Sequence, residues 1–230
     1  MIIPAHNEED SIERVIAETR LAGQDLDLMV VDDASTDKTR DVARRSGVRV
    51  ATLPFNLGIG GAVQTGFKIA KLLGYDMAIQ VDGDGQHDPS FIQALVEPLV
   101  RNEADIAIGS RHLYNGNAKS SLARSVGIRF FSWLTSRATS QEVTDCSSGF
   151  RALNKRAFGL FADEYPVDFP DAEALIAAHR AGLRIREVGV KFRDRGHGRS
   201  SLRVWRMLYY PFKETFSIGM MMTKSRRPAE

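Results

Sequence analysis

The chain has 230 residues, of which 43% are hydrophobic and 26% are charged, a composition typical of one globular domain. The formal net charge of +2 is too small to indicate a nucleic-acid-binding protein, so we expect no nucleic-acid partner. A single cysteine, Cys146, excludes a disulfide framework within the chain and is typical of a reducing compartment. No apolar run reaches the ~20 residues of a membrane span, and no secretory signal precedes the first strand. We therefore expect a cytoplasmic protein.

Short apolar runs alternate with longer helical patterns through the first half of the chain. This alternation predicts an α/β fold, with a mostly parallel sheet covered by helices on both faces. We expect Asn7 to cap the first helix and Gly47 to end the second. The strands are predicted at 1–3, 26–33, 48–53, 76–82 and 104–111, and the helices at 7–23, 35–47, 56–74 and 89–102.

The second half of the chain is less regular. No linker is long enough to separate two domains, so we expect one domain over 1–200 and a C-terminal segment over 201–230. The predicted elements are an amphipathic helix at 119–140, a turn and short strand at 144–154, a helix at 170–182 that ends at Gly182, and a strand at 183–192.

The sequence VDGDGQHDP places three aspartates at the end of a predicted strand. Carboxylates this close repel unless a cation lies among them. The hard oxygen ligands of Asp82 and Asp84 suit Mg²⁺ or Mn²⁺, and Gln86 can add a neutral oxygen. Such an ion also binds substrate phosphates. The alternative is an Asx-rich turn that caps the next helix, a role that suits Asp88 before Pro89.

Two more aspartates, Asp32 and Asp33, end the second predicted strand in the sequence VVDDAST. Ser35 or Asp37 suffices to cap the following helix, so capping leaves both carboxylates unexplained. A carboxylate at this position can accept hydrogen bonds from ribose hydroxyls or a base N–H. Because ligands bind at the carboxyl ends of strands in such sheets, we expect the acidic strand ends to converge. The glycine-rich sequence NLGIGGAV favours close packing of its helix on the sheet over phosphate binding.

Seven short sequences occur in the order seen in family 2 glycosyltransferases: PAHNEE, VVDDASTDKT, NLGIGGAVQTGFKIA, QVDGDGQHDP, GSR, TDCSSGFRALNK and EVGVKFRDRGHGRSS. From residue 2 to about residue 201 the chain resembles the polyprenyl-phosphate branch, which includes the dolichol-phosphate mannose synthases. The resemblance implies a GT-A fold, a Rossmann-like fold of nucleotide-diphospho-sugar transferases. It also implies an inverting, metal-dependent glycosyltransferase that moves a sugar from a UDP- or GDP-sugar to a polyprenyl phosphate.

The resemblance also assigns residues to the donor site. Asp84 and Arg111 would act in catalysis, with Arg111 facing the phosphates. Two positions depart from the family pattern: His6 replaces a frequent aromatic residue, and Ser201 replaces a lysine that helps to hold phosphate. The metal ligands would be Asp82, Asp84 and Gln86, and the nucleotide-sugar pocket would contain Pro4, Ala5, His6, Glu8, Asp32, Asp33, Asp82, Gly83 and Arg111.

The acceptor determines which further residues are needed. A lipid phosphate is already ionised near pH 7 and requires cations, whereas a sugar hydroxyl requires a carboxylate base. A solvated basic surface is the alternative explanation for the basic run after residue 190. The residues expected to bind an acceptor phosphate are Arg124, Arg129, Arg195, Arg199 and Ser200.

Asp171 and Glu173 are the candidate bases for a saccharide hydroxyl acceptor in polysaccharide synthesis. Capping of the helix by Asp171 explains that residue equally well, and with a phosphate acceptor we expect Glu173 to orient arginines. A third interpretation is a non-catalytic nucleotide-sugar-binding protein, which the intact D-x-D disfavours.

The segment 201–230 mixes aromatic with basic residues, a pattern typical of a helix in a membrane interface. A core-packing or dimer-forming helix is the alternative. The membrane interpretation predicts a peripheral protein at the cytosolic face of a membrane, and a small membrane-protein partner is a further hypothesis.

Overall fold

The computed structural model describes residues 1–23, 26–114, 122–166 and 171–193, with side chains from residue 129 onward in the helix that begins at Leu122. Seven strands form one sheet with helices on both faces. The strands are β1 (Ile2–Ala5), β2 (Met29–Asp32), β3 (Arg49–Thr52), β4 (Met77–Gln80), β5 (Ile106–Ser110), β6 (Arg151–Asn154) and β7 (Ile185–Gly189). The helices are α1 (Ile12–Ala22), α2 (Thr39–Arg45), α3 (Gly58–Leu72), α4 (Ile92–Val100), α5 (Leu122–Thr139), α6 (Lys155–Asp163) and α7 (Ala172–Arg180).

The sheet has the strand order β3-β2-β1-β4-β6-β5-β7. Every neighbouring pair is parallel except the two made by β6, which runs antiparallel to β4 and to β5. The chain builds outward from β1 to β2 and β3, then crosses back to place β4 on the other side of β1. The strand order therefore reverses between β1 and β4, and ligands of open α/β sheets bind outside the carboxyl ends at such a point. The predicted fold class is confirmed.

Helix α3 packs against β1 at a glycine. A Cβ atom on Gly66 would lie 2.4 Å from Cγ2 of Ile2, which is fully buried, so the helix approaches the strand more closely than a side chain allows. This contact confirms that the glycine-rich helix packs closely on the sheet.

Helix ends agree with the sequence at some positions and differ at others. Gly47 and Gly182 follow α2 and α7 in the left-handed region, with φ of 69° and 71°, as predicted. Asp88 accepts a hydrogen bond from the N–H of Ser90 at 3.1 Å and caps the short 3₁₀ turn before α4.

The predicted cap at Asn7 is wrong. Helix α1 begins only at Ile12, and Asn7 itself has a φ of 56°. Its side-chain oxygen accepts from the N–H of Thr36 at 2.8 Å, because the loop after β2 lies closer to it than the helix does. Helix α6 was not predicted, although Asn154 caps it by accepting from the N–H of Ala157 at 3.0 Å.

Several predictions lie outside the described residues. They concern Arg195, Arg199, Ser200 and the segment 201–230, and the side chain of Arg124 on α5. Among the helices that are described, none is both long and apolar enough to cross a membrane.

The contact at Gly66 yields a test with an internal control. We expect Gly66→Ala to lower the free energy of unfolding by about 1–3 kcal/mol, because the added methyl group overpacks a buried site. Gly159, in α6, has no atom within 4 Å of its virtual Cβ, so Gly159→Ala should leave stability unchanged or raise it by up to ~1 kcal/mol. Urea unfolding measures both, and equal effects of the two substitutions would contradict the close packing of α3.

Candidate active site

The ends of β1, β2 and β4 bring the predicted acidic residues to one edge of the sheet. Ala5 pairs with Asp32 in the parallel register, and its carbonyl accepts the N–H of Asp33 at 2.9 Å. On the other side of β1, the carbonyl of Pro4 accepts the N–H of Gly83 at 3.3 Å. The predicted convergence of the two acidic strand ends is therefore confirmed.

The loop after β1 holds the D-x-D sequence in place through a hydrogen bond. The hydroxyl of Ser11 donates to the carbonyl of Gly83 at 2.7 Å and lies 3.0 Å from the carboxylate of Glu8. A Cβ on Gly83 would lie 3.1 Å from the Pro4 carbonyl, so only glycine fits without displacement between the two aspartates. Glu8, Pro4 and Gly83 thus lie together at this edge of the sheet, and their role in a nucleotide pocket stays a prediction.

Asp32 is fully buried at the end of β2. Its Oδ1 accepts the N–H of Ser35 at 3.2 Å, whereas its buried Oδ2 has no hydrogen-bond partner among the described residues. A buried carboxylate oxygen without a donor is costly, so the site is suited to a ligand that brings an N–H or hydroxyl. The neighbouring Asp33 has a partner, because its Oδ1 accepts the N–H of Leu57 at 2.7 Å.

His6 follows β1 and is exposed to solvent at this edge of the sheet. Its Nδ1 is 2.7 Å from the carbonyl oxygen of Asp33, which requires the proton on Nδ1, and its Nε2 accepts from the side-chain amide of Asn7 at 3.2 Å. Asn7 and Ala34, in the loops that follow β1 and β2, have φ of 56° and 53°. Such non-glycine residues at positive φ cluster at functional sites.

Asp82 and Asp84 follow β4. The side chain of Asp82 is 31% exposed, whereas Asp84 is buried and its Oδ1 accepts the N–H of Gln86 at 3.0 Å. Gln86 is partly buried. A Cβ on Gly149 would lie 2.7 Å from Oδ2 of Asp82, so any side chain at position 149 would crowd this carboxylate.

The acidic pair fits a divalent metal that is shared with a substrate. In the described part of the chain, no three His, Cys, Asp or Glu side chains form a closed metal cage. Mg²⁺ is usually held by one or two carboxylates together with substrate phosphates and waters, and Asp82 and Asp84 provide such a set. The partly exposed carboxylate of Asp82 is the one accessible to such an ion.

The guanidinium of Arg111, after β5, is held by a carboxylate that the sequence did not single out. Its Nε and one terminal nitrogen donate to the two oxygens of Asp145 at 2.7 and 3.0 Å, and it lies 4.6 Å from the centre of the Phe192 ring. Burial alone would raise the pKa of Asp145, but the hydrogen bonds from Arg111 outweigh it and lower that pKa below its usual value. The expected contact of Arg111 with phosphates stays a prediction.

Glu187, on β7, holds the segment that carries Asp145, the partner of Arg111. Its carboxylate accepts the N–H of Thr144 at 2.9 Å, the hydroxyl of Thr144 at 2.8 Å and the N–H of Asp145 at 2.8 Å. Burial raises the pKa of Glu187 although these hydrogen bonds oppose the shift. Glu187 lies between Ile185 and Val188, which pack against the core, and an acidic residue between such positions is the sequence signal that indicates such a role.

Asp171 lies at the start of α7, in the N-cap position, but its side chain makes no capping hydrogen bond, so the capping interpretation is wrong. Burial raises its pKa to about 6; Arg151 opposes the shift, and the negative charges of Asp82 and Asp145 add to it. Asp171 therefore belongs electrostatically to the same cluster as the D-x-D. Glu173 lies in the first turn of α7 and is partly exposed, and Arg129 is exposed on α5.

The mixed seven-stranded sheet, with its reversal of strand order beside β1, matches the GT-A fold. Residues 1–161 match glycosyl transferase family 2, and the chain belongs to that family. The resemblance found in the sequence is thereby confirmed.

Two characterised relatives span most of the chain. The chain is 31% identical over 211 residues to the UDP-N-acetylglucosamine–dolichyl-phosphate N-acetylglucosaminyltransferase of Methanococcus voltae. The match covers 83% of this chain and 84% of the relative. The chain is also 32% identical over 222 residues to the undecaprenyl-phosphate mannosyltransferase of Micrococcus luteus. This match covers 87% of this chain and 86% of the relative.

Solved structures show the same fold. The glucosyl-3-phosphoglycerate synthase of Mycobacterium tuberculosis, in complex with Mn²⁺, UDP-glucose and phosphoglyceric acid, superposes with a TM-score of 0.73 at 22% identity, covering 100% of this chain and 86% of that chain.

The raised pKa of Asp171 predicts how stability depends on pH. The folded state favours the protonated acid, so its contribution is fully present below the unfolded pKa of 3.8 and is lost as pH rises through about 6. We expect Asp171→Asn to raise the free energy of unfolding by about 1–2 kcal/mol at pH 8, a figure reduced for partial exposure to solvent, and to have little effect below pH 4. Urea unfolding at both pH values measures this; an effect that is equal at pH 4 and pH 8 would contradict the shift.

Proposed function

We propose that this glycosyltransferase moves a sugar from a nucleotide-diphosphate sugar to a polyprenyl phosphate, with inversion and with Mg²⁺ or Mn²⁺. One observation supports the assignment of the donor site. Asp32, with a buried oxygen that has no hydrogen-bond partner among the described residues, and Asp82, with a partly exposed carboxylate, follow the two strands that flank β1. The acceptor class is supported by the two relatives, which are named for activities directed at dolichyl and undecaprenyl phosphates.

On the donor side, each carboxylate has a distinct task. Asp32 accepts an N–H of the base or a ribose hydroxyl through its free oxygen, and Asp33, held by the N–H of Leu57, keeps the loop in place. Asp82, Asp84 and Gln86 would hold the divalent metal, which when bound neutralises charge on the departing nucleoside diphosphate. His6 offers its exposed ring to the base.

On the acceptor side, a phosphate oxygen attacks the anomeric carbon while the bond to the diphosphate breaks. This acceptor is already ionised and needs cations to orient it. Arg111 is a partly buried cation at this edge, and Arg129 is exposed on α5. We propose the same role for Arg124, Arg195, Arg199 and Ser200.

A second candidate acceptor, a saccharide hydroxyl, is favoured by one observation. Asp171 has a pKa raised to about 6 next to the negative charge of Asp82. Such an acid is still ionised near pH 7 and is a stronger base than an ordinary aspartate, as general base catalysis requires. A hydroxyl acceptor therefore requires Asp171 as a base, whereas a phosphate acceptor does not.

One matched pair of substitutions separates them. Asp82→Asn and Asp171→Asn each remove one negative charge from the same cluster. With UDP- and GDP-sugars, short-chain polyprenyl phosphate and Mn²⁺, we expect Asp82→Asn to slow single-turnover formation of lipid-linked sugar at least ~10³-fold, and Asp171→Asn to slow it by less than about 10-fold. If both variants lose activity alike with donor binding intact, transfer depends on Asp171 as a base, which a phosphate acceptor does not require. If the wild type transfers no sugar and its affinity for the nucleotide is the same with and without EDTA, the proposal is wrong.

We also propose that the protein works at a membrane surface. Phe130 and Trp133 are 43% and 61% exposed on α5 with ring centroids 6.3 Å apart, and Arg129 and Arg137 are exposed on the same helix. Aromatic rings flanked by arginines suit the interface of an anionic bilayer. Helix α5 also carries the buried Ser132, whose hydroxyl donates to the carbonyl of Thr144 at 3.1 Å, so the helix packs next to the residue that precedes Asp145.

Flotation with vesicles that contain phosphatidylglycerol tests the membrane contact. We expect Trp133→Ser to reduce the bound fraction several-fold, because an interfacial aromatic residue is lost. Leu72→Ser is the control: Leu72 is 84% exposed at the end of α3, at the amino edge of the sheet and away from the site. Equal binding by wild type and Trp133→Ser would contradict a contact through α5.

A further inference from the structure

His87 lies three residues beyond the second D-x-D aspartate and contacts the first. Its side chain is only 3% exposed, and its Nδ1 accepts the backbone N–H of Asp82 at 3.0 Å. The proton of a neutral ring is therefore on Nε2, which lies 3.6 Å from Oδ2 of the same aspartate. One imidazole thus contacts both the backbone and the carboxylate of Asp82.

Two aromatic side chains fix the plane of this ring. Phe150 stacks on it with centroids 5.0 Å apart and planes 10° apart, and Phe192 meets it edge to face at 5.0 Å and 86°. Phe150 is itself fully buried. The ring of His87 is therefore held in one orientation by packing, which makes the position of its two nitrogens a property of the fold.

The backbone around His87 is fastened as well. Residues 87 and 192 form an isolated antiparallel bridge, and the N–H of Arg193 donates to the carbonyl of Gln86 at 2.8 Å. The guanidinium of Arg193 lies 3.0 Å from the carboxylate of Asp88. The loop that carries the D-x-D is thereby attached to the chain that leaves β7.

Packing alone does not explain a histidine here. A phenylalanine would make the same ring contacts, whereas only an acceptor at the Nδ1 position satisfies the N–H of Asp82. That N–H belongs to a residue proposed to bind the metal, and groups that orient metal ligands change metal affinity when they are removed.

We propose that His87 is a positioning residue that sets the orientation of Asp82 toward the metal-bound diphosphate of the donor. This inference rests on the proposed function, in which Asp82 binds a divalent metal. It assigns no proton transfer to His87; the neutral ring acts as a fixed acceptor for the N–H of Asp82 and a neighbour of its carboxylate.

The test is Mn²⁺ affinity, measured on the full chain from the electron paramagnetic resonance signal of free Mn²⁺ with UDP and, separately, with GDP. We expect His87→Phe to weaken Mn²⁺ binding about 10–100-fold while the melting temperature stays close to that of the wild type, because both ring contacts remain. His87→Asn should bind Mn²⁺ more tightly than His87→Phe despite a lower melting temperature, because its side-chain oxygen can replace the Nδ1 acceptor.

A second pair covers the case in which His87→Phe does not fold. His87→Asn and His87→Ala both lose the ring, and only the asparagine keeps an acceptor, so tighter Mn²⁺ binding by His87→Asn supports the proposal and equal binding overturns it. Equal Mn²⁺ affinity in wild type and His87→Phe overturns this inference but leaves the proposed function intact. A wild type that binds no Mn²⁺ with either nucleotide overturns both.

Discussion

The site depends on the hydrogen bonding of β1 to strands on both of its sides. The carbonyl of Ala5 binds the loop after β2 and the carbonyl of Pro4 binds the loop after β4, so four residues of one strand set the distance between Asp32 and Asp82. Strands two positions apart in a sheet are separated by about 10 Å, a span across which an extended nucleotide can lie. Because Gly66 lets α3 approach β1 directly, this central strand is also fixed from one face of the sheet.

The charges at this edge do not balance within the described part of the chain. Asp145 and Arg111 neutralise each other through two hydrogen bonds, and Arg151 donates to the carbonyl oxygens of Ser148 and Cys146. Counted against the charge of Arg151, the carboxylates of Asp82, Asp84 and Asp171 still leave an excess of negative charge. Burial is the first cause of the raised pKa of Asp171, and the charges of Asp82 and Asp145 add to it. A divalent cation bound with a diphosphate would relieve that repulsion, and this is the physical reason for assigning a metal to a cluster that lacks a closed cage among these residues.

Alternating strands and helices, with acids at strand ends, were sufficient to predict the sheet and the edge at which Asp32 and Asp82 meet. These features depend on local periodicity and on a general property of parallel sheets. The partners of individual side chains were not predictable in this way. Asp145 and Arg111 are 34 residues apart, and Glu187 is 42 residues beyond Asp145, so their contacts depend on the position of β6 between β4 and β5. Asn7 was misassigned for the same reason, since its partner lies in another loop.

The pairing of Arg111 with Asp145 bears on how an acceptor phosphate would be bound. A guanidinium already engaged by two carboxylate oxygens has fewer donors left for a ligand, so the proposed phosphate acceptor requires further cations. The described end of the chain that leaves β7 contacts the site, because Phe192 lies against both Arg111 and His87, and the N–H of Arg193 binds the loop of the D-x-D. Residues proposed for the acceptor therefore follow directly from a segment attached to the donor loop.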